Sequence, residues 1–272
     1  MEISEKIIAK TLKVAYLAGK AIMDIYNQPF TFELKSDNSP LTIADQKAHN
    51  IISEGLKDSG LPILSEEGFQ TEYDVRKNWK QYWLIDPLDG TKEFIKKNGD
   101  FTVNIAIISD SQPIFGVVYA PVPGLIYWGS KSGSFRLAVN RLDETDFENF
   151  NSIQILAERL PCVSKRGGYT VLGSKSHMNT ETESFISNLQ KLHPHLLFVS
   201  RGSSLKFCTL AEGGADIYPR FGPTMEWDTA AGHAVATFAG CSVYQIANGL
   251  PVTYNKPSLL NPFFIAEQKK MR

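Results

Sequence analysis

Between Phe101 and Val139 the chain is a succession of short β-rich segments with turn signals between them, and this stretch limits the fold more than any other. Phe101–Ile108 and Ile114–Tyr119 are separated by Ser109-Asp-Ser-Gln-Pro113, a hairpin signal, and Leu125–Trp128 and Ser134–Val139 continue the meander. In front of it the period is helical. Ile8, Leu12, Ala15, Ile22, Ile25 and Tyr26 recur among Glu5, Lys6, Lys10, Lys13 and Lys20, which predicts an amphipathic helix from Glu5 to Tyr26, ended by Asn27-Gln28-Pro29. Thr31–Leu34 reads as a short strand, and a second helix starts near Thr42 and runs through Asp45 and His49 to Leu56. Leu61-Pro-Ile-Leu64 and Tyr82-Trp-Leu-Ile85 are short apolar runs that end in acidic residues. The first half is therefore expected to be α+β with an antiparallel sheet.

Residues 140–168 mix charge with Pro161 and Gly167-Gly168, and a lobe boundary is placed there, dividing the chain into 1–150 and 151–272. Beyond it, strands at Thr170–Leu172, Leu196–Val199 and Asp216–Pro219 alternate with helices at about Thr180–Lys191, Ser204–Glu212 and Trp227–Phe238. Such alternation indicates an α/β lobe. No internal repeat or low-complexity tract interrupts it.

The 272 residues are 43% hydrophobic and 21% charged with a formal net charge of -1, an ordinary globular composition. No global positive field draws such a chain to a nucleic acid polymer or an acidic membrane. A small anion would need a local trap made of metal ions or a few placed cations. Cys162, Cys208 and Cys241 are odd in number and far apart, which argues against a disulfide framework or a zinc site and fits a reducing cytosol. The first residues lack the pattern of a signal peptide, and no window approaches the roughly 20 apolar residues of a membrane helix. A cytoplasmic protein without a transmembrane segment is expected, with peripheral attachment at the inner membrane left open.

The most informative chemistry lies in Trp83-Leu-Ile-Asp86-Pro87-Leu88-Asp89-Gly90-Thr91. An apolar strand delivers Asp86 to its end, and Pro87 and Gly90 force a turn. Asp86 and Asp89 can then point into one small volume with the Leu88 carbonyl between them. Carboxylates held so close repel, and hard divalent cations prefer such oxygen ligands. Taken alone this is also a common turn sequence. Glu66-Glu67, after another apolar run, is by itself more often a solvated turn, and Asp228, at the start of a small-residue helix, more often a helix cap or first-turn acid.

Taken together, Glu66-Glu67, Asp86-Pro-Leu-Asp-Gly-Thr91 and Trp227-Asp228-Thr-Ala-Ala-Gly232 resemble, in order and approximate spacing, the three signatures of the inositol monophosphatase superfamily of lithium-sensitive, magnesium-dependent phosphatases. The likeness runs from the first helix almost to the C-terminus. The segments 86–95, 101–106, 202–208 and 218–224 are most similar to its bacterial CysQ branch, the 3′(2′),5′-bisphosphate nucleotidases. The resemblance implies the layered αβαβα sandwich of the inositol monophosphatase and fructose-1,6-bisphosphatase type. It implies metal ligands at Glu66, Asp86, Asp89, Asp228 and the Leu88 carbonyl, for two or three Mg²⁺ ions, and a phosphate-contacting turn at Gly90 and Thr91. Asp45 would pair with Thr91 to orient the attacking water, and Glu67 would support the catalytic group. Substrate contacts are expected from Leu88, Asp89, Gly90, Thr91, Ser203, Lys206, Arg220 and Asp228. In inositol monophosphatases the position of Arg220 typically carries a glutamate that accepts bonds from ring hydroxyls. A cation there suits a second phosphate instead.

The implied activity is removal of the 3′-phosphate from 3′-phosphoadenosine 5′-phosphate, and from 3′-phosphoadenylyl sulfate, in a monomer or homodimer serving sulfate assimilation. Inositol monophosphate or a sugar phosphate is the alternative substrate, and a non-catalytic metabolite-binding regulator the alternative role. The presence of Thr91 and Asp45 beside the acidic set speaks against the latter. The haloacid-dehalogenase motif D-x-D-G-T has one residue between its aspartates and this chain has two, so direct attack by water fits better than a phospho-aspartate. The five histidines form no metal pair; His193 and His195 read as a surface turn and His233 as a packed residue or one that supports the acidic ligands from behind. Ser203 and Ser204 are expected to cap the helix that follows them, and Lys165-Arg166 to form a solvated loop pair.

Overall fold

The computed structural model describes residues 3–28, 32–34, 40–163, 167–174 and 178–269. Pro29, Thr31 and the pair Lys165-Arg166 lie outside the described residues.

The chain begins with helix α1 (Glu5–Tyr26), the short hairpin β1 (Phe32–Leu34) and β2 (Pro40–Thr42), and helix α2 (Ile43–Leu56). Ser4 caps α1 by accepting the Ile7 N–H, and Leu12, Ala15 and Ile22 on its apolar stripe are fully buried. A seven-stranded sheet follows, in the order β3 (Ile63–Ser65), β4 (Gln81–Asp89), β5 (Thr102–Ser109), β6 (Gln112–Ala120), β7 (Leu125–Ser130), β8 (Gly133–Ala138) and β9 (Glu158–Arg159). Short helices α3 (Tyr73–Arg76), α4 (Thr91–Ile95) and α5 (Phe150–Leu156) are inserted along it. Its pairs are antiparallel except β3–β4, which is parallel, so the expected wholly antiparallel sheet is corrected at that edge. The reason is the crossover through residues 66–80, long enough to return the chain to the same end of the sheet. Between β5 and β6 the turn is tighter than expected: Asp110 and Ser111 both take positive φ, 48° and 62°, as a type I′ hairpin requires.

The second sheet has the order β11 (Leu197–Ser200), β10 (Thr170–Gly173), β12 (Ile217–Arg220), β14 (Phe264–Gln268) and β13 (Cys241–Gln245). β10 is parallel to β11 and β12, whereas β14 is antiparallel to its neighbours. Helices α6 (Thr180–Leu192), α7 (Leu205–Ala211) and α8 (Glu226–Phe238) connect these strands. Strands β9, β13 and β14 and helix α5 have no counterpart in the sequence reading. They are short or weakly patterned, and their pairing partners are distant in sequence.

Side-chain alternation sorts the two faces of the large sheet. Trp83, Ile85, Val103, Ile105 and Ile107 face one core with α1 and α2. Tyr82, Leu84, Ala106 and Ile108 face another, shared with α7, α8 and the second sheet's Leu172, Tyr218 and Phe264. The far side of the second sheet packs Val171, Ile217 and Ile265 on α6 through Phe185, Ile186 and Leu189. The layers are therefore helix, sheet, helix, sheet, helix. α8 can lie between two sheets because its facing residues are small. A Cβ on Gly116 of β6 would fall 2.5 Å from the Ala231 carbonyl oxygen and 2.8 Å from the Ala234 Cβ. No helix among the described residues is long and apolar enough to cross a membrane.

Candidate functional site

Three chain segments end at one point between the sheets. β4 delivers Asp86, 1% exposed, and its pairing with β5 shifts register between Asp86 and Asp89, where Pro87 removes a ladder donor. The bulge is closed by Asp86 Oδ1 accepting the Leu88 N–H at 3.1 Å. Gly90 then takes φ 93°, a conformation that disfavours any side chain, and α4 starts at Thr91. The Thr91 hydroxyl donates to the Leu88 carbonyl at 3.4 Å. Beside β4, Glu66 follows β3, with its N–H on the Ile85 carbonyl at 3.1 Å. From the second half of the chain, α8 presents Asp228 in its first turn. Asp228 Oδ2 accepts the Met225 N–H at 2.9 Å, so it serves as the first-turn acid and also faces the other carboxylates.

Oxygens of Glu66, Asp86 and Asp228 all lie within 4.8 Å of one another, a spacing that one divalent cation can bridge. Burial, then the charges of Glu66, Asp89, Asp228 and Asp45, hold the Asp86 carboxyl well above the usual carboxylate range. Burial and Asp89 do the same to Asp228, against the Met225 N–H. Three acids pressed together without a cation are unstable as anions, and hard oxygen donors of this kind fit magnesium. Asp89 is also raised by burial, but Lys206, Asn104 and the Ser204 N–H oppose the shift. Its Oδ2 accepts the Ser204 N–H at 2.8 Å and Asn104 Nδ2 at 3.3 Å. It lies on the same cavity, though outside the trio.

This cavity of about 380 Å³ is lined by Glu66, Asp86, Leu88, Asp89, Gly90, Thr91 and Asp228 at its acidic end. Ser203, Lys206 and Arg220 line it too. Thus all the residues expected to touch metal or substrate are gathered around one volume. Asp45 and Glu67 are not on its lining. Asp45, third in α2, is 3% exposed and its charge reaches Asp86. Glu67 accepts from Gln46 Nε2 at 3.1 Å, which turns it toward α2.

Lys206 is 5% exposed, and its Nζ donates to the Arg201 carbonyl at 3.2 Å and lies 5.5 Å from the Tyr218 ring centre. Burial pulls it down to about 8, against the pull of Asp89. Arg220 Nη2 donates to the Pro223 carbonyl at 3.0 Å, while its buried Nε has no hydrogen-bond partner among the described residues. The expected capping by Ser203 and Ser204 is corrected. The Ser204 hydroxyl donates to the Asp228 carbonyl at 2.9 Å, and Ser203 Oγ accepts from the Thr102 hydroxyl at 3.3 Å. Ser204 stands at the start of α7 with helical backbone, φ −68° and ψ −4°, instead of the extended conformation from which a cap side chain reaches the first amides, and it makes no side-chain cap bond. His233 is buried on the Tyr254 hydroxyl at 2.9 Å and pulled by burial to about 3, so it stays neutral, as a packed residue should. Sequence reasoning gave no role to Tyr218, the wall under Lys206, or to Gly202, although both stand in the quoted segments 218–224 and 202–208.

The profile described as "Inositol monophosphatase family" matches residues 4–270. A protein of Shigella flexneri named 3′(2′),5′-bisphosphate nucleotidase CysQ is 45% identical over 259 residues, 93% of this chain and 96% of that one. The protein of that name from Escherichia coli strain K12 is 45% identical over 257 residues, with the same shares of the two chains. Among solved structures, CysQ from Bacteroides thetaiotaomicron, described as a bacterial member of the inositol monophosphatase family, superposes with a TM-score of 0.87 at 44% identity, covering 96% of this chain and 97% of that one.

Proposed function

The chain belongs to the inositol monophosphatase family, and from that premise we propose that it is a magnesium-dependent phosphomonoesterase that removes the 3′-phosphate of 3′-phosphoadenosine 5′-phosphate, leaving AMP and phosphate. One observation carries this choice. A trio of carboxylates around the buried Asp86 and two cations, Lys206 and Arg220, line the same cavity. A substrate with one phosphate would address only the acidic end; a bisphosphate addresses both ends.

Glu66, Asp86 and Asp228 would hold the metal, with Asp89 and the Leu88 carbonyl at its border. Magnesium, when bound there, polarises the phosphoryl group, acidifies a water and stabilises the leaving oxygen. The chain's own groups do the rest. Thr91, with its hydroxyl on the Leu88 carbonyl, and the buried Asp45, whose charge reaches Asp86, would orient the attacking water. Arg220 and Lys206, both on the cavity wall, hold the distal phosphate. Gly90, at φ 93°, allows the turn that brings the start of α4 to the phosphate; a Cβ there would also lie 3.1 Å from the Asp100 carbonyl oxygen.

Phosphate release from a panel of 3′-phosphoadenosine 5′-phosphate, 3′-phosphoadenylyl sulfate, inositol monophosphate and a sugar monophosphate, each with magnesium and with a chelator, tests the assignment. Preference for the two nucleotides, dependent on magnesium, is expected. Equal turnover of inositol monophosphate would move the substrate class, and no turnover of any member would leave a metabolite-binding protein.

A further inference from the structure

The segment Arg201–Ser204 joins β11 to α7 and puts Gly202 and Ser203 on the cavity wall. It belongs to the second half of the chain, yet the first half holds it in place. The Gly202 N–H donates to Asp100 Oδ2 at 2.7 Å. The carbonyl of the same peptide unit, that of Arg201, accepts from Lys206 Nζ at 3.2 Å. Two residues on, the Ser204 N–H donates to Asp89 Oδ2 at 2.8 Å. Between the two amides held by carboxylates, Ser203 takes φ 40°, a left-handed conformation that is unfavourable for any residue but glycine and persists only where its surroundings impose it. Nor is there space to relax at 202. A Cβ on Gly202 would lie 2.6 Å from both the Cβ and the carbonyl oxygen of Asp100.

A peptide unit with a carboxylate on its N–H and an ammonium on its C=O is polarised from both sides, and the two bonds strengthen each other. Lys206 is buried, and its ammonium, drawn by the charges of Asp89, Glu93 and Asp100, makes its hydrogen bond to the Arg201 carbonyl. Asp100 itself is off the reaction cavity. It lines a second cavity of about 420 Å³, with Arg201 and Leu205.

We propose that Asp100 is a positioning residue for the distal-phosphate end of the site: by holding the Arg201–Gly202 peptide, it aims the Lys206 ammonium and fixes Ser203 on the wall. The proposal rests on the bisphosphate reading above. The wild-type substrate panel tests that reading separately, and the variants below are judged against the wild type.

The experiment compares Asp100→Ala, Asp100→Asn and Gly202→Ala in kcat and KM on 3′-phosphoadenosine 5′-phosphate and on a monophosphate substrate, together with hydrogen exchange of the peptide spanning 201–206. Loss of one charge-assisted bond predicts a KM for the bisphosphate about tenfold higher in Asp100→Ala, with kcat within about twofold, and no change of KM for the monophosphate. Asp100→Asn, whose side-chain oxygen still accepts the Gly202 N–H, should recover most of the affinity and the exchange protection. Gly202→Ala should reproduce Asp100→Ala with the carboxylate intact, which keeps the test open if Asp100→Ala fails to fold. An unchanged KM in Asp100→Ala, equal losses on both substrates, or an Asp100→Asn as impaired as Asp100→Ala would each overturn the proposal.

Discussion

Replacing Asp86 by Asn takes one charge from the middle of the acidic trio and keeps its shape. An Asn oxygen retains the Leu88 N–H bond of 3.1 Å, and the side chain is 1% exposed, so solvent does not compensate. Neighbouring carboxylate oxygens within 4.8 Å repel. At 4.8 Å two unit charges cost roughly 3.5 kcal/mol at an effective dielectric of about 20, and roughly 0.9 kcal/mol at that of water. Partial protonation of the trio limits what is actually stored. We therefore expect metal-free Asp86→Asn to be more stable than the wild type by about 1–3 kcal/mol near pH 8, or roughly 2–5 °C in Tm for a chain of this length.

The pH dependence identifies the cause. Asp86 and Asp228 are raised in the folded state, so the folded protein binds more protons than the unfolded chain. Their contribution is complete below the ordinary Asp value of 3.8 and is lost as pH climbs through the raised folded values. The Tm advantage of the variant should thus vanish near about pH 4 and grow toward neutrality. Magnesium should reverse the order, raising the wild-type Tm and hardly moving that of the variant, because a cation bound only by the folded state stabilises it by mass action. Thermal melts in chelator and in magnesium, across this pH range, measure all of it. An Asp86→Asn less stable than the wild type in chelator near neutrality, or a wild-type Tm indifferent to magnesium, would refute the picture of a strained cation site.

Other variants read out separate parts of the site. Asp89→Asn keeps an acceptor for the Ser204 N–H but should lose at least about two orders of magnitude in rate while its circular dichroism stays that of the wild type. Thr91→Ala should lower kcat and leave KM nearly unaltered in steady-state kinetics; a raised KM at constant kcat would make Thr91 a binding residue. Lithium in the millimolar range should inhibit at low magnesium, and less as magnesium rises; insensitivity would count against that family trait alone. Arg220→Ala should lower kcat/KM for the bisphosphate by about ten- to a hundredfold, the equivalent of one or two lost charge-assisted contacts. Its ratio to kcat/KM for a monophosphate should fall with it, and equal losses on both substrates would assign Arg220 to the fold or the chemistry.

Much of this was legible in the sequence because it is local. The apolar stripe of Glu5–Tyr26 specifies a helix without help from its partners, and the helix has those bounds. The nearly unbroken apolar runs Tyr82–Ile85 and Val103–Ile108 specify strands with two buried faces, and the Asp86–Thr91 turn follows from Pro87 and Gly90. The ordered acidic segments even identified the family. Distances were another matter. Residues 66, 86 and 228 are brought within 4.8 Å only by packing α8 between the two sheets, and the small side chains that allow this have no helical stripe to announce it. The parallel β3–β4 edge and the strands β9, β13 and β14 likewise depend on partners far along the chain. Burial, which shifts the acids upward and Lys206 downward, does not exist until the layers close. Tertiary structure alone also set Asp100 against Gly202, 102 positions away, since a carboxylate in a loop carries no mark of the amide it will meet.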